Sequence, residues 1–382
     1  MRGVAVLGIL PVNAAYFAGS WLHAINPTLP PLDVQGGALW AWLVPHVVFE
    51  GKFITLFSML FGVSVFLVGG GEAGEGGDAL KRRLAWLAVF GVLHGLLIWS
   101  GDVLLFYAAA GAVLAMCRRW SATRLTIAGA ALFCVTQALI SAQGLALSLL
   151  PAQTTLALYH DIWAPSAETL AAQAQAFRGE LAAVTRANID DWLTFLTAGA
   201  PLTLPRILGL MMIGIALFKS GFFHGRWSMR AYGVCIAVGA ASLAAIALQA
   251  IDNARNGFGY LRMYGWGMAV NQALAPLVAL GYAAALVLIA RARWLDALAA
   301  VGRMAFTNYI AQSVIMTTIL WGGRGFGLYG SVDRETLMGI VAGVWIGQLL
   351  WSPLWLSRFR QGPLEALWRR LTYGAISRAT AR

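Results

Sequence analysis

Charge is what this chain has least of. Of 382 residues, 11% are Asp, Glu, Lys or Arg and 59% are hydrophobic, a balance that a soluble globular surface does not show. Acids are scarcer than bases, 16 against 27, giving a formal net charge of +11. A surplus of that size raises the question of nucleic acid, but these cations sort by position along the chain, so no nucleic-acid partner is expected. Only three cysteines occur, Cys117, Cys134 and Cys235. They lie in or at the ends of apolar runs with no CxxC or Cys/His spacing, so no metal is expected and they read as small core hydrophobes. The first apolar run lacks a clear small-x-small cleavage site and is read as a retained helix. No clear repeat relates the two halves and no pair of matching broken helices stands out, which speaks against a transporter.

What the chain has in abundance is long apolar runs. Ten are long enough to cross a hydrocarbon core of roughly 30 Å: about Gly3 to Ser20, His46 to Val68, Leu84 to Trp99, Val103 to Cys117, Leu125 to Ile140, Leu204 to Phe223, Tyr232 to Leu248, Met268 to Ala290, Met304 to Trp321 and Leu337 to Leu356. The expected fold is therefore an all-α polytopic membrane bundle of about ten helices. Assigning the connections alternately to two sides puts nineteen of the Lys and Arg on one side and six on the other, with only Lys52 and Arg206 inside spans. Arg291, Arg293, Arg378 and Arg382 belong to the larger set. Short cytoplasmic loops retain cations, so both termini are expected in the cytoplasm. Acids lean the other way, with Asp33, Asp161, Glu168, Asp190 and Asp333 among those in external segments.

Residues 1–356 then form the bundle, with an external insertion at about 141–203. The insertion should hold a helix after Pro165, with Ser166 as N-cap and Leu170, Phe177, Leu181 and Val184 on one face, serving as a surface spacer or a lid. Residues 357–382 form a cytoplasmic amphipathic tail in which Leu364, Leu367, Trp368 and Leu371 make a stripe beside Arg369 and Arg370, as an interfacial helix does. Gly69, Gly71 and Gly74 match G-x-G-x-x-G, but they follow a membrane helix instead of a strand and neighbour Glu72, Glu75 and Asp78, so the motif is rejected.

Ionisable groups at membrane depth are costly and point to function. In the second span His46 and Glu50 are four apart and share a helix face, whereas Lys52 points away from Glu50 and needs a partner elsewhere or a water-filled cavity. In the third, His94 sits roughly 9 Å below the Trp99-Ser100-Gly101 hairpin at about 1.5 Å per residue, and Asp102 lies near the hairpin itself. A neutral imidazole oriented by a carboxylate is a recurring general base, although this vertical offset leaves Asp102 equally suited to capping the next span. Asn13, Asn308 and Gln312 can bridge helices, and Arg206 can face an acid or lipid headgroups. A buried network that only fixes packing accounts for all of these as well.

Several strings together resemble the YeiB family of bacterial inner-membrane proteins: Arg2-Gly3 with Asn13, Phe49-Glu50-Gly51-Lys52-Phe53, Leu93-His94-Gly95 running to Gly101-Asp102, Thr307-Asn308-Tyr309 with Gln312-Ser313, and Gly362-Pro363-Leu364-Glu365. The family carries an acidic segment before the Arg-Gly of its first span, whereas this chain begins at Met1-Arg2-Gly3. The family is in turn similar to transmembrane acyltransferases such as heparan-alpha-glucosaminide N-acetyltransferase. That resemblance implies a multi-pass protein of the bacterial inner membrane that passes an acyl group from cytosolic acyl-CoA to a hydroxyl or amine on an external acceptor, a glycan or small molecule of the cell envelope. His94 and Asp102 are then the catalytic candidates, with His46 and His23 in reserve. Glu50, Lys52, His46, Asn308, Gln312 and Asn13 are candidates for the substrate path or a polar network. Arg82, Arg83 and Arg118 are candidates for holding the acyl-CoA. Partners would be the lipid bilayer, acyl-CoA, the acceptor and a second copy in a homodimer. The alternatives are a transporter or flippase, which would line a path with the same polar groups, and a non-enzymatic membrane protein.

Overall fold

The structure, a computed structural model, describes residues 1–34, 38–73, 75–290 and 295–374, and these are helical without strands. Gly74, Arg291, Arg293, Arg378 and Arg382, which enter the sequence reading, lie outside the described residues. In chain order the helices are α1 (Arg2–Ala18), α2 (Trp21–Ile25), α3 (Leu39–Val44), α4 (Lys52–Val68), α5 (Gly77–Leu97), α6 (Leu104–Cys117), α7 (Ala122–Leu149), α8 (Ala152–Leu158) and α9 (Ala167–Arg178). They continue with α10 (Leu181–Thr194), α11 (Ala200–Lys219), α12 (Met229–Arg255), α13 (Met268–Leu288), α14 (Asp296–Arg303), α15 (Ala305–Leu320), α16 (Arg334–Arg358) and α17 (Pro363–Tyr373). A helix lies over each of the ten apolar runs. Among the described residues six helical stretches are long and apolar enough to cross a membrane: Leu39–Val68, Ala122–Leu149, Leu181–Lys219, Met229–Arg255, Leu261–Leu288 and Arg334–Arg358. Arg2–Ala18 and Leu104–Cys117 are shorter apolar helices.

A lipid-facing bundle gains little from hydrophobic contact between helices, so close backbone approach carries the packing. A Cβ at Gly62 of α4 would stand 2.2 Å from Met211 O, and one at Gly214 of α11 would stand 2.1 Å from Met59 O. These two helices therefore meet through glycine in both directions. Gly239 and Gly281 do the same for α12 and α13.

Three sequence boundaries change. The seventh helix runs on to Leu149 instead of stopping near Ile140, because between Ile140 and Pro151 the chain has no proline and one glycine, Gly144, which packs on Gly265 within the helix. The expected insertion helix is two helices: Ser166 does cap α9, its Oγ accepting from Thr169 N at 3.1 Å, but the chain breaks at Gly179 and places Leu181 and Val184 on α10. That helix continues into α11 through a π turn at Phe195–Gly199. The insertion packs on the bundle end opposite the termini, where Asn188 Nδ2 donates to Gly95 O at 2.8 Å and Gly322 N to Phe177 O at 2.8 Å.

The tail helix docks on the bundle. Trp368 is buried, its indole N–H donates to Arg83 O at 3.0 Å, and the Arg83 guanidinium lies 3.8 Å from its ring centroid. The Glu365 carboxylate accepts from Phe306 N at 2.7 Å and Thr307 N at 3.1 Å, capping the positive end of α15. Trp368 thus faces protein, where an interfacial stripe would turn it to lipid.

Candidate functional site

His94 and Asp102 come together because the α5–α6 turn is tight. Ile98 N and Trp99 N both donate to His94 O, at 2.9 and 2.8 Å, and Trp99 folds back to stack on Phe17 with ring centroids 4.1 Å apart. The chain then reverses at once, and Asp102 drops level with His94 instead of staying at the hairpin. His94 Nδ1 and Asp102 Oδ1 are 2.9 Å apart. The same carboxylate caps α6, accepting from Leu104 N at 3.1 Å and Leu105 N at 3.0 Å. Capping and orienting, alternatives in the sequence, are both performed by Asp102.

With the carboxylate as acceptor, Nδ1 is the protonated nitrogen and Nε2 offers its lone pair. That lone pair meets the Ser313 hydroxyl of α15 at 2.9 Å. His94 and Ser313 are each 1% exposed and Asp102 is 0%, so the chain of three is dry and its geometry is held from three helices.

A cavity of about 720 Å³ opens at the end of the bundle that carries the termini. Its mouth has Arg2, Arg83, Arg303 and Arg369 with Trp368 and Tyr373. Its shaft is apolar, including Ile9, Phe57, Leu60, Phe61 and Leu87, and it reaches Val103, Leu104, Tyr107 and Tyr309. The Tyr309 ring packs on His94, centroids 5.3 Å apart, so one aromatic ring separates the cavity from the imidazole. The Tyr309 hydroxyl is buried without a partner among the described residues. Of the three expected acyl-CoA residues only Arg83 lines this cavity. Arg118 turns to Ala115 O and to Gly69 O, and Arg82 is elsewhere, its Nε buried without a partner among the described residues.

The second charged cluster stands where the membrane helix is interrupted. Between α3 and α4 the chain makes a π turn at Pro45–Phe49 and passes through Gly51 at φ +78°, which L side chains rarely adopt. The π turn still brings His46 and Glu50 together, Nδ1 to Oε2 at 2.7 Å. Lys52, 0% exposed, donates to His46 O at 3.0 Å and to Asn271 Oδ1, and Asn271 Nδ2 donates to His46 O at 3.2 Å. The break that frees a carbonyl is thus answered by an ammonium and an amide. Trp42 stacks on His46 with centroids 4.6 Å apart, and His46 Nε2 is buried with no partner among the described residues.

A third, neutral network joins α15 to α16. Asn308 donates to Val301 O at 3.2 Å and Ser352 Oγ at 3.0 Å and accepts from the Trp351 indole at 2.8 Å, while Gln312 Nε2 reaches Val6 O at 3.2 Å and Gln348 Oε1 at 2.9 Å. Asn308, Gln312, His46, Glu50, Lys52 and Asn13 are not among the residues lining the cavity, and Asn13, half-buried in α1, belongs to none of the three networks. Arg206 donates to Gln272 O at 2.6 Å and covers the Phe133 ring, an interhelical tie. His23 is held by Ser20 Oγ at 2.9 Å and Pro30 O at 3.1 Å, both ring nitrogens engaged in local structure.

Sequence reasoning passed over Asn271, Tyr309 as a cavity wall, and Ser313 as a partner of His94. All three are uncharged, and a neutral polar residue in an apolar run does not say which distant group it meets. Arg2, Arg303 and Arg369 are topological cations in the sequence, Arg369 also flanking the tail stripe, and nothing along the chain shows that they meet at one mouth.

The chain matches the family model described as "Protein of unknown function (DUF418)" over residues 217–375. It is similar to the uncharacterized protein YeiB of Escherichia coli (strain K12), 32% identical over 401 residues covering 100% of this chain and 97% of that relative. It is also similar to the uncharacterized protein YxaH of Bacillus subtilis (strain 168), 29% identical over 403 residues covering 98% and 92%. A third relative, an uncharacterized 39.9 kDa protein of Bacillus acidopullulyticus, is 25% identical over 380 residues covering 98% and 92%. No solved structure matches.

Proposed function

We propose that this chain, which belongs to the YeiB family, is an acyltransferase of the bacterial inner membrane with ten spans and cytoplasmic termini, taking an acyl group from cytosolic acyl-CoA to an external hydroxyl or amine. The observation that carries this is a continuous cavity joining an arginine-lined mouth to the ring that covers His94. Guanidinium groups bind phosphate through paired donors, and Arg2, Arg83, Arg303 and Arg369 would take the phosphates of the nucleotide end. The apolar shaft suits a pantetheine arm, whose thioester would arrive at Tyr309. His94 would act as general base on the acceptor, and Asp102 would hold its tautomer.

The test is binding and transfer by purified protein with labelled acetyl-CoA. Arg83→Ala with Arg303→Ala should weaken binding, and His94→Ala should bind normally while transfer falls by roughly 10²- to 10⁴-fold. Wild-type transfer by His94→Ala would sink the mechanism. Labelling of a cysteine at position 75 from outside the cell would sink the topology.

The interrupted helix at Glu50 and Gly51, with Lys52 buried beside it, favours a second reading, since broken helices with polar interiors line transport paths. A protein that neither binds nor consumes acyl-CoA but moves a solute across vesicles would establish the transporter instead.

A further inference from the structure

We infer that Ser313 is a nucleophile, so that the acyl group passes through a covalent ester on this chain. This rests on the acyltransferase reading for its donor, and on geometry for its chemistry. The Asp102 carboxylate, the His94 imidazole and the Ser313 hydroxyl form one hydrogen-bonded chain, 2.9 Å at each link, the arrangement in which an imidazole can take a hydroxyl proton. Asp102 is fixed by two backbone N–H groups of α6 and in turn holds His94, while Ser313 is fixed by its mid-helix position in α15, its hydroxyl 2.9 Å from His94 Nε2 and at a longer 3.4 Å from Tyr309 O. Ser313 lies one helical turn beyond Tyr309, about 6 Å further along α15 from the mouth. Ser313 does not line the cavity, and a thioester at its inner end would meet it past the Tyr309 ring, which packs on His94.

The step balances without any added reagent. Ser313 Oγ bonds to the thioester carbonyl carbon as its proton passes to His94 Nε2. Collapse of the adduct breaks the C–S bond, and the departing sulfur takes that proton, releasing free CoA thiol and leaving an ester on Ser313. The acceptor hydroxyl or amine then gives its proton to His94 Nε2 and bonds to the acyl carbon, and the bond between that carbon and Ser313 Oγ breaks as His94 returns the proton to Oγ. A covalent relay also explains how a donor on one side and an acceptor on the other can use one dry site in turn: neither must cross the bundle.

The experiment quenches the full chain in detergent after mixing with radiolabelled acetyl-CoA or, separately, with p-nitrophenyl acetate, which delivers acetyl without nucleotide recognition. Intact mass and peptide mapping locate the label. Wild type should carry acetyl on Ser313. Ser313→Ala should carry none and lose transfer by roughly 10⁴-fold or more, with acetyl-CoA affinity unchanged. Ser313→Cys should regain the covalent label as a thioester, which a merely structural hydroxyl would not predict. Transfer at wild-type rate by Ser313→Ala would overturn the nucleophile and leave the acyltransferase standing. Acetyl on Ser313 from p-nitrophenyl acetate, with no binding of acetyl-CoA, would keep the nucleophile and overturn the donor. No acetyl on Ser313 from either compound would overturn the inference.

Discussion

Two carboxylate–imidazole pairs sit inside this bundle, and they are built on opposite plans. At His94 the helix is regular, the carboxylate is clamped by backbone N–H groups, and the second ring nitrogen meets a hydroxyl. At His46 the helix is broken, Glu50 is 26% exposed at its side chain, and the second ring nitrogen has no partner among the described residues. The first is rigid and dry beside a cavity; the second answers a fault in the helix, with Lys52 and Asn271 taking up the carbonyl that the π turn frees. The same pair of residue types therefore carries different work, decided by what holds the carboxylate and what lies at the far nitrogen.

The two pairs should separate most widely in transfer. Asp102→Asn should cut acetyl transfer by about 10⁴-fold, because an amide in that position favours the wrong tautomer, whereas Glu50→Gln should cut it by less than about tenfold, the lower edge of general acid–base effects. Equal losses in a transfer assay would mean that the two sites are one machine. Stability should reverse the order. Lys52→Met leaves Asn271 Oδ1 without its ammonium donor and His46 O with the Asn271 amide alone and should cost about 1–3 kcal/mol, read as a lowered midpoint of thermal unfolding in detergent, while Ser313→Ala, which removes one neutral hydrogen bond, should cost about 0.5–1.5 kcal/mol. A smaller effect sharpens the account of the break. Asn271→Leu combined with Lys52→Met should depart from additivity by about 0.5–3 kcal/mol if the two share one carbonyl, and strict additivity in the cycle would refute a shared network. Smallest of all, Trp42→Phe should cost about 0.5–1.5 kcal/mol through weaker stacking on His46, with transfer unchanged; a drop in transfer would tie the second cluster to catalysis.

Much of the fold was legible because lipid imposes period and length on a sequence. Each apolar run from Gly3 to Leu356 has a helix over it, and Ser166 caps the helix expected after Pro165. The His46–Glu50 pair was legible from spacing alone, even though the local structure proved to be a π turn. Asp102 was legible as an acid near a hairpin, but its descent to His94 depends on how sharply Trp99 folds back onto Phe17. The partner that Lys52 required is Asn271, 219 positions away. Arg118, a candidate for holding acyl-CoA, turns its guanidinium to Ala115 O and Gly69 O and does not line the cavity, a choice of rotamer and partner that no spacing encodes.

Composition, apolar runs and short strings of residues are enough to establish a helical membrane-type chain, the residues too costly to bury idly, and the family to which it belongs. Burial cost is a property of a residue and its membrane depth, so His94, Asp102, Glu50 and Lys52 announce themselves without coordinates. What those residues touch came from the packing of the helices. It set Ser313 against His94, laid Tyr309 across the end of the cavity, gathered Arg2, Arg83, Arg303 and Arg369 at its mouth, and brought the tail helix down over Arg83. Such meetings join residues from distant helices whose rotation and depth are fixed by glycine contacts and neutral hydrogen bonds, and neither leaves a periodic or electrostatic trace along the chain.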